Sequence, residues 1–279
     1  MNGGFRFFRE QAVLAELDDE NRTRLRRLIL LETVDSTNLE LRRWPTDEQH
    51  GGVVLSDQQS AGRGRRGRPW HSPPGSNIYL SLGWHFPQSG EVLQQLPLAV
   101  AVSVARAVRR AGVRTAGIKW PNDILIDGRK LAGVLVELSA AGVDRARAVI
   151  GVGVNVRMPA GAASQPEIDQ PWTDVCTQLS TAAGSDFRDR LCGIILDELL
   201  DGMARFAATG FGSFRTGWAE LDLLEGREVA ITAGPGTIIG TARGVSDRGG
   251  LNVAVADISG GVSVREFFAG EVQVRSVKP

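Results

Sequence analysis

The residue types best suited to chemistry are concentrated in one segment, QQSAGRGRRGRPWH, at residues 58–71. It holds four arginines and three glycines between Gly62 and Arg68. Guanidinium groups neutralise phosphates through paired donors, and glycines let a backbone close over a ligand. The segment is therefore a candidate phosphate-binding loop, although a solvated basic surface loop would have the same composition. Its cationic side chains are those of Arg63, Arg65, Arg66 and Arg68.

The glycines of this segment also match the G-x-G-x-x-G spacing of a dinucleotide-binding turn, at Gly62, Gly64 and Gly67. Such a turn requires a helix directly after it, because the helix N-terminus binds the pyrophosphate. The prolines in the following segment, RPWHSPPGSN, exclude a regular helix there. The chain also has no Walker A sequence, so this loop is the obvious place for the phosphates if the protein uses ATP.

The segment VDSTNLELRR, residues 34–43, combines a helix start with side chains that can bind a ligand. Thr37 and Glu40 have the spacing of a capping box, which predicts a helix at this point. In a functional interpretation, Ser36 and Asn38 direct polar groups to a small ligand at the same helix start. Both interpretations are compatible with the sequence.

Two lysines occur in the segment IKWPNDILIDGRKLAGVLVEL, residues 118–138. Lys119 ends an apolar run, where an ammonium group destabilises a strand unless it finds a partner. In a cleft, the same group can polarise a carboxylate or neutralise a phosphate. Lys130 can act likewise, although residues 127–130, DGRK, also have the sequence of a hairpin turn.

A third polar position follows two glycines in VIGVGVNV, residues 149–156. Gly151 and Gly153 interrupt a strong strand pattern, which often marks the close approach of a ligand or of another backbone segment. Asn155 can form hydrogen bonds to a ligand from that strand. A bulge with a satisfied buried amide explains the same residues equally well.

The elements that must position these residues are alternating strands and helices up to about residue 223, and short strands alone after it. Apolar, β-branched runs predict strands, at 28–33, 51–57, 77–84, 117–127, 131–138 and 148–156. Apolar spacing and end signals predict helices, at 37–43, 97–112 and 188–206. Five short strands follow from residue 224, which favours a small all-β barrel. We therefore expect an N-terminal extension, a mixed α/β domain and a β domain, at residues 1–27, 28–223 and 224–279.

Composition argues against several classes of protein. Lys+Arg and Asp+Glu are equal at 32 each, so net charge gives no reason to expect binding to DNA or a membrane. No uninterrupted apolar run approaches the roughly 18 residues of a membrane span, and the N-terminus lacks the apolar core of a signal peptide. Cys176 and Cys192 have no metal or redox spacing, and the three histidines are scattered. We expect a cytoplasmic protein with reduced, buried thiols.

Taken in this order, the motifs resemble those of the biotin protein ligases, or biotin–[acetyl-CoA carboxylase] ligases. The resemblance rests on DSTN (35–38), QQSAGRGRRGRPW (58–70), NIYLSL (77–82), KWPNDILIDGRKLAGVLVE (119–137), VIGVGVNV (149–156) and GEVQVRSV (270–277). It covers roughly residues 28–279, and GRGRRGR together with KWPND is a highly diagnostic pair.

The resemblance implies an α/β (α+β) catalytic domain like that of class II aminoacyl-tRNA synthetases, with helices packed on a mixed sheet, followed by an SH3-like barrel. It implies two reactions. Biotin and ATP, with Mg²⁺, give biotinyl-5′-AMP and pyrophosphate, and a lysine of a biotin carboxyl carrier protein domain then takes the biotinyl group. No covalent enzyme nucleophile is needed, in agreement with the lack of a recognisable Ser-His-Asp triad.

The resemblance also implies roles for individual residues. Those expected to bind biotin are Ser36, Thr37, Asn38, Gln59, Gly62, Arg63, Gly64, Arg65, Lys119 and Gly133. Those expected to bind ATP or the adenylate are Arg63, Arg65, Arg66, Arg68, Trp70, Asn122, Lys130 and Asn155. Lys119, Arg63 and Arg65 are the expected catalytic residues, because carboxylate attack on the α-phosphorus brings two anions together. No protein ligand for Mg²⁺ is assigned, and the ion is expected to enter on the ATP phosphates.

Two features depart from the family pattern. Many members begin with a winged helix-turn-helix, but only residues 1–27 precede the first predicted strand, so we expect a monofunctional ligase without that DNA-binding module. The family's Ala-Thr-Ser-Leu segment is replaced by QPWTDVCTQL, residues 170–179, which leaves the contribution of that loop open. We expect a monomer or a weak homodimer.

Two other functions are compatible with parts of the sequence. A lipoate ligase or octanoyltransferase would share the fold, but the expected Arg-Arg-x-Ser-Gly-Gly-Gly type of segment is absent. A nucleic-acid-binding module would use residues 63–68 as a basic arm. Balanced charge and an aromatic content of 6% argue against that module.

Overall fold

The computed structural model of the chain describes residues 7–88, 90–140, 145–162, 168, 170–179, 184–233, 236–256, 261–268 and 273–276. The helices within these ranges are α1 (Glu10–Leu14), α2 (Asp19–Arg24), α3 (Thr37–Arg43), α4 (Leu96–Arg110), α5 (Val175–Leu179), α6 (Phe187–Thr209) and α7 (Arg215–Leu221). The strands of a first sheet are β1 (Arg27–Val34), β2 (Gly52–Gln59), β3 (Ile78–Phe86), β4 (Gly117–Lys119), β5 (Asp123–Ile126), β6 (Arg129–Ala140) and β7 (Ala146–Val154).

This first sheet is mixed and has the strand order β1-β2-β3-β7-β6-β5-β4. Strands β1 and β2 are parallel, whereas the other neighbouring pairs are antiparallel. The β5–β6 hairpin turns at Asp127 and Gly128, whose φ angles are 49° and 72°. Two positive φ angles are what a tight two-residue hairpin needs, so the turn predicted from DGRK is confirmed.

The two faces of this sheet are covered differently. Long helices α4 and α6 pack together and bury one face, where Val53, Leu55 and Leu80 join the main core. The opposite face receives only the short helix α3, through a small cluster that contains Leu41 and Val54. Because side chains alternate between faces along a strand, the rest of that second face is left for a ligand.

One helical segment of the first domain is long and strongly apolar. Gly90–Arg110 has the length and mean hydropathy of a membrane-crossing helix, and 67% of its most apolar 18-residue window is buried inside the described fold. It consists of a short 3-10 segment and α4, with Pro97 in the first turn of the helix and Arg109 and Arg110 in the last. These contacts are those of a core helix.

A second sheet follows, with strands β8 (Glu228–Ala233), β9 (Gly236–Val245), β10 (Leu251–Ala256), β11 (Val262–Phe267) and β12 (Gln273–Ser276). It is antiparallel throughout, in the order β11-β10-β9-β8-β12, which suits the expected SH3-like barrel. The Trp120 indole N–H donates to Gly249 O at 3.0 Å, and the Leu223 N–H donates to Ile118 O at 2.9 Å. The second sheet and its connection therefore contact both sides of Lys119. The domain boundaries given above stay predictions.

The segment before β1 contains two helices that the sequence did not predict. Arg9 Nε lies 2.8 Å from the Asp189 carboxylate, and Asn21 Nδ2 donates to Asp197 at 2.9 Å. Both carboxylates belong to α6, so α1 and α2 are fixed along that helix. Gly193 of α6 faces the α1 backbone at a distance too short for a Cβ.

Candidate active site

The open part of the α3 face is a cavity of about 740 Å³. Its walls come from α3, the segment of residues 62–70 that we call the arginine loop, the β4–β5 turn, strands β6 and β7, Ile168 and residues 170–172. The residues predicted for the site that line the cavity are Ser36, Thr37, Asn38, Gln59, Arg63, Gly64, Arg65, Arg66, Arg68, Trp70, Lys119, Asn122, Gly133, Lys130 and Asn155. Gly62 lies beside this wall, where a Cβ would be 2.6 Å from Trp70 O.

Glycines form the floor of the cavity. Gly133 of β6 and Gly153 of β7 are direct partners across the sheet. A Cβ at Gly153 would lie 2.5 Å from the Trp70 ring, and one at Gly151 would lie 2.5 Å from Asn38 Oδ1. The sequence left open a close approach by a ligand or another backbone segment at these two glycines, and in the structure it is side chains that come close, at two different ends of the cavity.

One end of the cavity is aromatic and cationic. The Lys130 ammonium lies 5.3 Å from the centroid of the Trp70 ring, within the range of a cation–π contact. The same ammonium lies 2.9 Å from Asp123 Oδ1. Strand pairing places Asp123 opposite Lys119, across the turn that contains Pro121. This end can therefore receive a flat ring system together with negative charge.

The arginine loop is held closed by its own backbone. Gly64 N donates to Arg68 O at 2.7 Å, and Trp70 N donates to Gly62 O at 2.8 Å. Between them lies a single 3-10 turn with Arg66 at φ 59°, followed by extended chain rather than a helix. The dinucleotide-binding geometry therefore has no counterpart here.

Two arginine side chains connect the loop to the sheet. Arg65 Nη1 donates to Asn122 Oδ1 at 2.8 Å, and burial lowers the pKa of the Arg65 guanidinium. Arg63 Nη2 lies 3.2 Å from Glu137 Oε1. The Asn122 amide nitrogen in turn donates to Val134 O, which orients the amide toward Arg65. The loop is thus held at both the β4–β5 turn and β6.

The other end of the cavity is polar and buried, at the start of α3. Ser36, Thr37 and Asn38 are each about 3% exposed. The Thr37 backbone N–H donates to Gln59 Oε1 at 2.9 Å, and the Asn38 amide donates to Glu137 at 2.8 Å. The side chains at this end are therefore ordered by hydrogen bonds within the protein.

The predicted capping box at Thr37 and Glu40 is wrong. Ser36 is the N-cap of α3, Thr37 is the first helical residue, and the Ser36 side chain makes no capping hydrogen bond. The Thr37 hydroxyl lies 2.8 Å from Ser81 Oγ and 3.2 Å from Gln59 Oε1 instead. Strands β2 and β3 supply these partners from distant parts of the sequence, so a local motif could not reveal them.

Asn155 and residues 170–173 form another wall. Asn155 Nδ2 donates to Thr173 O at 3.1 Å and to Lys130 O at 3.3 Å. Backbone bonds pair Lys130 N with Pro171 O and Thr173 N with Lys130 O, both at 2.9 Å. The satisfied buried amide predicted as one interpretation of Asn155 is therefore present, but the bulge is not, because β7 pairs in continuous register through Gly151 and Gly153. Asn155 also lines the cavity. The atypical QPWT segment supplies wall residues beside Lys130.

The charge balance of the cavity favours anions. Six lysines and arginines line it, and Asp123 is the one carboxylate among the lining residues that the structure describes. Within the same described ranges, no group of three or more His, Cys, Asp or Glu is placed to hold a metal ion. A site of this kind can gather phosphate and carboxylate groups at one end and bind a small polar ring at the other.

The sequence interpretation missed several residues of this site. Glu137 and Ser81 bind Asn38, Asp123 binds Lys130, and Trp172 lines the wall. Strand alternation from Gly133 placed Glu137 on the same face, so that signal was present. Ser81 required the register of β3 against β7, in which it faces Gly151.

Comparison with known proteins gives the family. The model of the biotin/lipoate A/B protein ligase family matches residues 30–155. The bifunctional ligase/repressor BirA of Escherichia coli is 32% identical over 249 residues, which are 89% of this chain and 74% of that protein. The biotin–[acetyl-CoA-carboxylase] ligase of Paracoccus denitrificans is 33% identical over 230 residues, 80% of this chain and 92% of that protein. The chain belongs to the biotin protein ligase family.

A solved structure agrees with the architecture of this ligase. The biotin protein ligase from Aquifex aeolicus, in complex with biotin and ATP, superposes with a TM-score of 0.73 at 29% identity. The match covers 90% of this chain and 100% of the other. The mixed sheet with packed helices and the small C-terminal β sheet expected from the sequence are thereby confirmed.

Proposed function

We propose that this ligase binds biotin at the α3 end of the cavity and ATP at the Trp70 end. The observation that supports the proposal is that two glycines of β7 face two chemically different ends of the cavity. Gly151 faces the polar group around Asn38, and Gly153, one step along the same strand face, faces the Trp70 ring. A single extended cavity thus offers hydrogen-bonding groups to a small polar ring and an aromatic, cationic surface to a nucleotide.

The proposed first reaction joins the two ligands where these ends meet. A biotin carboxylate oxygen attacks the α-phosphorus of ATP, an O–P bond forms, and pyrophosphate leaves. Both reactants are anions, so their approach requires positive charge. Lys119 ends β4 on the cavity wall, and Arg63 and Arg65 reach the wall from the arginine loop. We assign these three side chains to charge neutralisation in this step.

The nucleotide is proposed to arrive as Mg-ATP. Trp70 packs against the adenine, with Asn122, Lys130 and Asn155 nearby. The guanidinium groups of Arg66 and Arg68 extend the positive surface for phosphates. Asp123 is already paired with Lys130, so we assign Mg²⁺ to the ATP phosphates rather than to a cluster of protein carboxylates.

The second proposed reaction transfers biotin to a protein. A lysine amine of a biotin carboxyl carrier protein domain attacks the acyl carbonyl of biotinyl-5′-AMP, an amide bond forms, and AMP leaves. The adenylate is a reactive mixed anhydride, so exclusion of water protects it. The arginine loop, which donates a hydrogen bond to Asn122 through Arg65 and contacts Glu137 through Arg63, is the part of the wall suited to that task. We further propose a cytoplasmic ligase that acts as a monomer or weak homodimer.

ATP–pyrophosphate exchange tests this proposal directly. We expect exchange to depend on added biotin, whereas lipoate in place of biotin gives little. Exchange that depends on lipoate and not on biotin would replace the proposal by a lipoate ligase. No exchange with either acid, together with duplex DNA binding that weakens steeply with salt, would favour a nucleic-acid-binding function of the arginine loop.

A further inference from the structure

One carboxylate connects α3, the arginine loop and β6. Glu137 Oε2 accepts a hydrogen bond from Asn38 Nδ2 at 2.8 Å. Arg63 and Arg42 lie 3.2 Å and 3.3 Å from its other oxygen, Oε1. The Glu137 side chain is 23% exposed, and it stands two residues beyond Leu135, a cavity-wall residue on the same strand face. It is therefore close to the proposed biotin end without lining it.

The bond from Asn38 to Glu137 decides how the Asn38 amide is oriented. An ionised carboxylate has acceptors and no donors, so the amide must present its nitrogen to Glu137. Its oxygen then points the other way, where Ser81 Oγ lies 2.5 Å from it. Packing against the start of α3 and against β7 does not orient the Asn38 amide, because an amide has nearly the same shape in both orientations.

The orientation of Asn38 passes on to Thr37. Ser81 has one hydroxyl proton, and the Asn38 oxygen accepts it. The Ser81 oxygen lies 2.8 Å from the Thr37 oxygen, but with its proton given to Asn38 it does not donate to Thr37. The Thr37 hydroxyl donates within the protein, to Gln59 Oε1 at 3.2 Å, which can only accept. The remaining lone pairs of the Thr37 oxygen therefore act as acceptors toward the cavity.

The opposite end of this polar group is fixed independently. The Thr37 backbone N–H can only donate, and it bonds Gln59 Oε1 at 2.9 Å. The Gln59 amide nitrogen consequently faces Ser72 Oγ at 3.2 Å. Backbone geometry thus orients Gln59, whereas Asn38 depends on a single side chain, Glu137.

We propose that Glu137 is a positioning residue for biotin, one that sets the orientation of the Asn38 amide and, through Ser81, the donor and acceptor pattern at Thr37. The inference rests on the proposed binding of biotin at this end. The ion pairs of Glu137 are secondary in this account. Arg42 and Arg63 are 53% and 37% exposed, and exposed ion pairs contribute little.

Two substitutions at this residue separate orientation from charge. Glu137→Gln removes the charge but keeps a side-chain oxygen that accepts from Asn38. Glu137→Leu removes both, and Glu137→Met is a second apolar variant if the leucine variant does not fold. The matched control is Glu40→Leu. Glu40 is also a partly exposed carboxylate paired with an arginine, Arg43 at 3.0 Å, and it lies on α3 itself.

The measurement is the biotin dissociation constant by titration calorimetry, with the KM for ATP in the exchange reaction as the second quantity. We expect Glu137→Leu to weaken biotin binding about tenfold, the value of one lost hydrogen bond, with the KM for ATP changed less than twofold. Glu137→Gln and Glu40→Leu should stay within about threefold of the wild type for biotin.

A double variant tests the relay itself. Ser81 and Glu137 both act on the Asn38 amide, so Ser81→Ala combined with Glu137→Leu should raise the biotin dissociation constant by less than the product of the two single effects.

Independent effects of Ser81→Ala and Glu137→Leu would overturn the proposal, as would unchanged biotin affinity in Glu137→Leu or an equal loss of affinity in Glu137→Gln. If the wild type itself did not bind biotin, the proposed function would fail together with this inference. Wild-type binding with an unaffected Glu137→Leu would reject the inference alone.

Discussion

Alanine at Gly153 is the sharpest structural probe of which ligand binds at which end of the cavity. The added Cβ would lie 2.5, 2.6 and 2.7 Å from three atoms of the Trp70 ring. Non-bonded carbons are stable at about 3.5–4.0 Å, so the ring must retreat by roughly 1 Å or more. It cannot then keep its present position over the glycine floor, and a nucleotide base would lose its stacking surface.

The size of the effect follows from that stacking surface. Base stacking on an aromatic side chain contributes about 1–3 kcal/mol, which corresponds to roughly 5- to 150-fold in affinity. We expect Gly153→Ala to raise the KM for ATP within that range and to change biotin affinity less than threefold. Gly151→Ala should instead weaken biotin binding and change the KM for ATP less than threefold, because its Cβ would lie 2.5 Å from Asn38 Oδ1 at the biotin end.

Both variants need a control for the general effect of alanine in a strand. Gly236 of β9 is exposed, and a Cβ there meets nothing within 4 Å, so Gly236→Ala should leave both ligands unaffected. The assays are pyrophosphate exchange at saturating biotin for the KM of ATP, and calorimetry for biotin. If Gly153→Ala weakened biotin binding more than it raised the KM for ATP, the assignment of the two ends would be reversed.

Three further predictions concern the scaffold and the loop. Arg188→Leu leaves the buried Asp57 carboxylate without its guanidinium partner, and should lower the free energy of unfolding in urea by about 3–5 kcal/mol, most of it recovered when Asp57→Leu is added. No recovery would contradict the ion-pair explanation. Burial opposes ionisation of Asp197, but hydrogen bonds from Asn21 and Arg110 outweigh it and lower the pKa below the usual 3.8. The stability due to this lowered pKa is present above pH 3.8 and is lost as the pH falls through the folded-state pKa. Asp197→Asn should therefore make the free energy of unfolding fall less steeply at acid pH. An unchanged fall in this variant would contradict the role given to Asp197. Arg65→Gly breaks the contact with Asn122 and should increase the release of free biotinyl-5′-AMP, as measured by chromatography; no increase would mean that the loop does not retain the adenylate.

Local sequence signals were sufficient for most elements and for most of the cavity wall. Apolar, β-branched runs located the strands of both sheets, except that the single run predicted at 117–127 is two strands, β4 and β5. Asp127-Gly128 specified its hairpin because both residues tolerate positive φ. The motifs that resemble biotin protein ligases also supply much of the wall of this cavity. Their residues meet at one cavity although Ser36 and Asn155 are far apart in the chain.

Long-range pairing decided what the sequence could not. Thr37 was predicted to cap a helix with Glu40, but Gln59, from the end of β2, takes the Thr37 N–H. Ser81 and Glu137 join the site only because β3, β7 and β6 are in a particular register. Helices α1 and α2 were missed because their stability comes from contacts with α6, and short helices have weak intrinsic signals.

The rate of biotinyl-5′-AMP formation in a single turnover, by the wild type and by Lys119→Gln, tests whether this cavity joins biotin to ATP with the help of Lys119. Lys119 lines the cavity at the end of β4, where the two anionic reactants are proposed to meet. We expect rapid adenylate formation by the wild type and a rate about 10²- to 10³-fold lower in the variant, with biotin still bound. No biotinyl-5′-AMP from the wild type, or a near-normal rate from Lys119→Gln, would contradict this expectation.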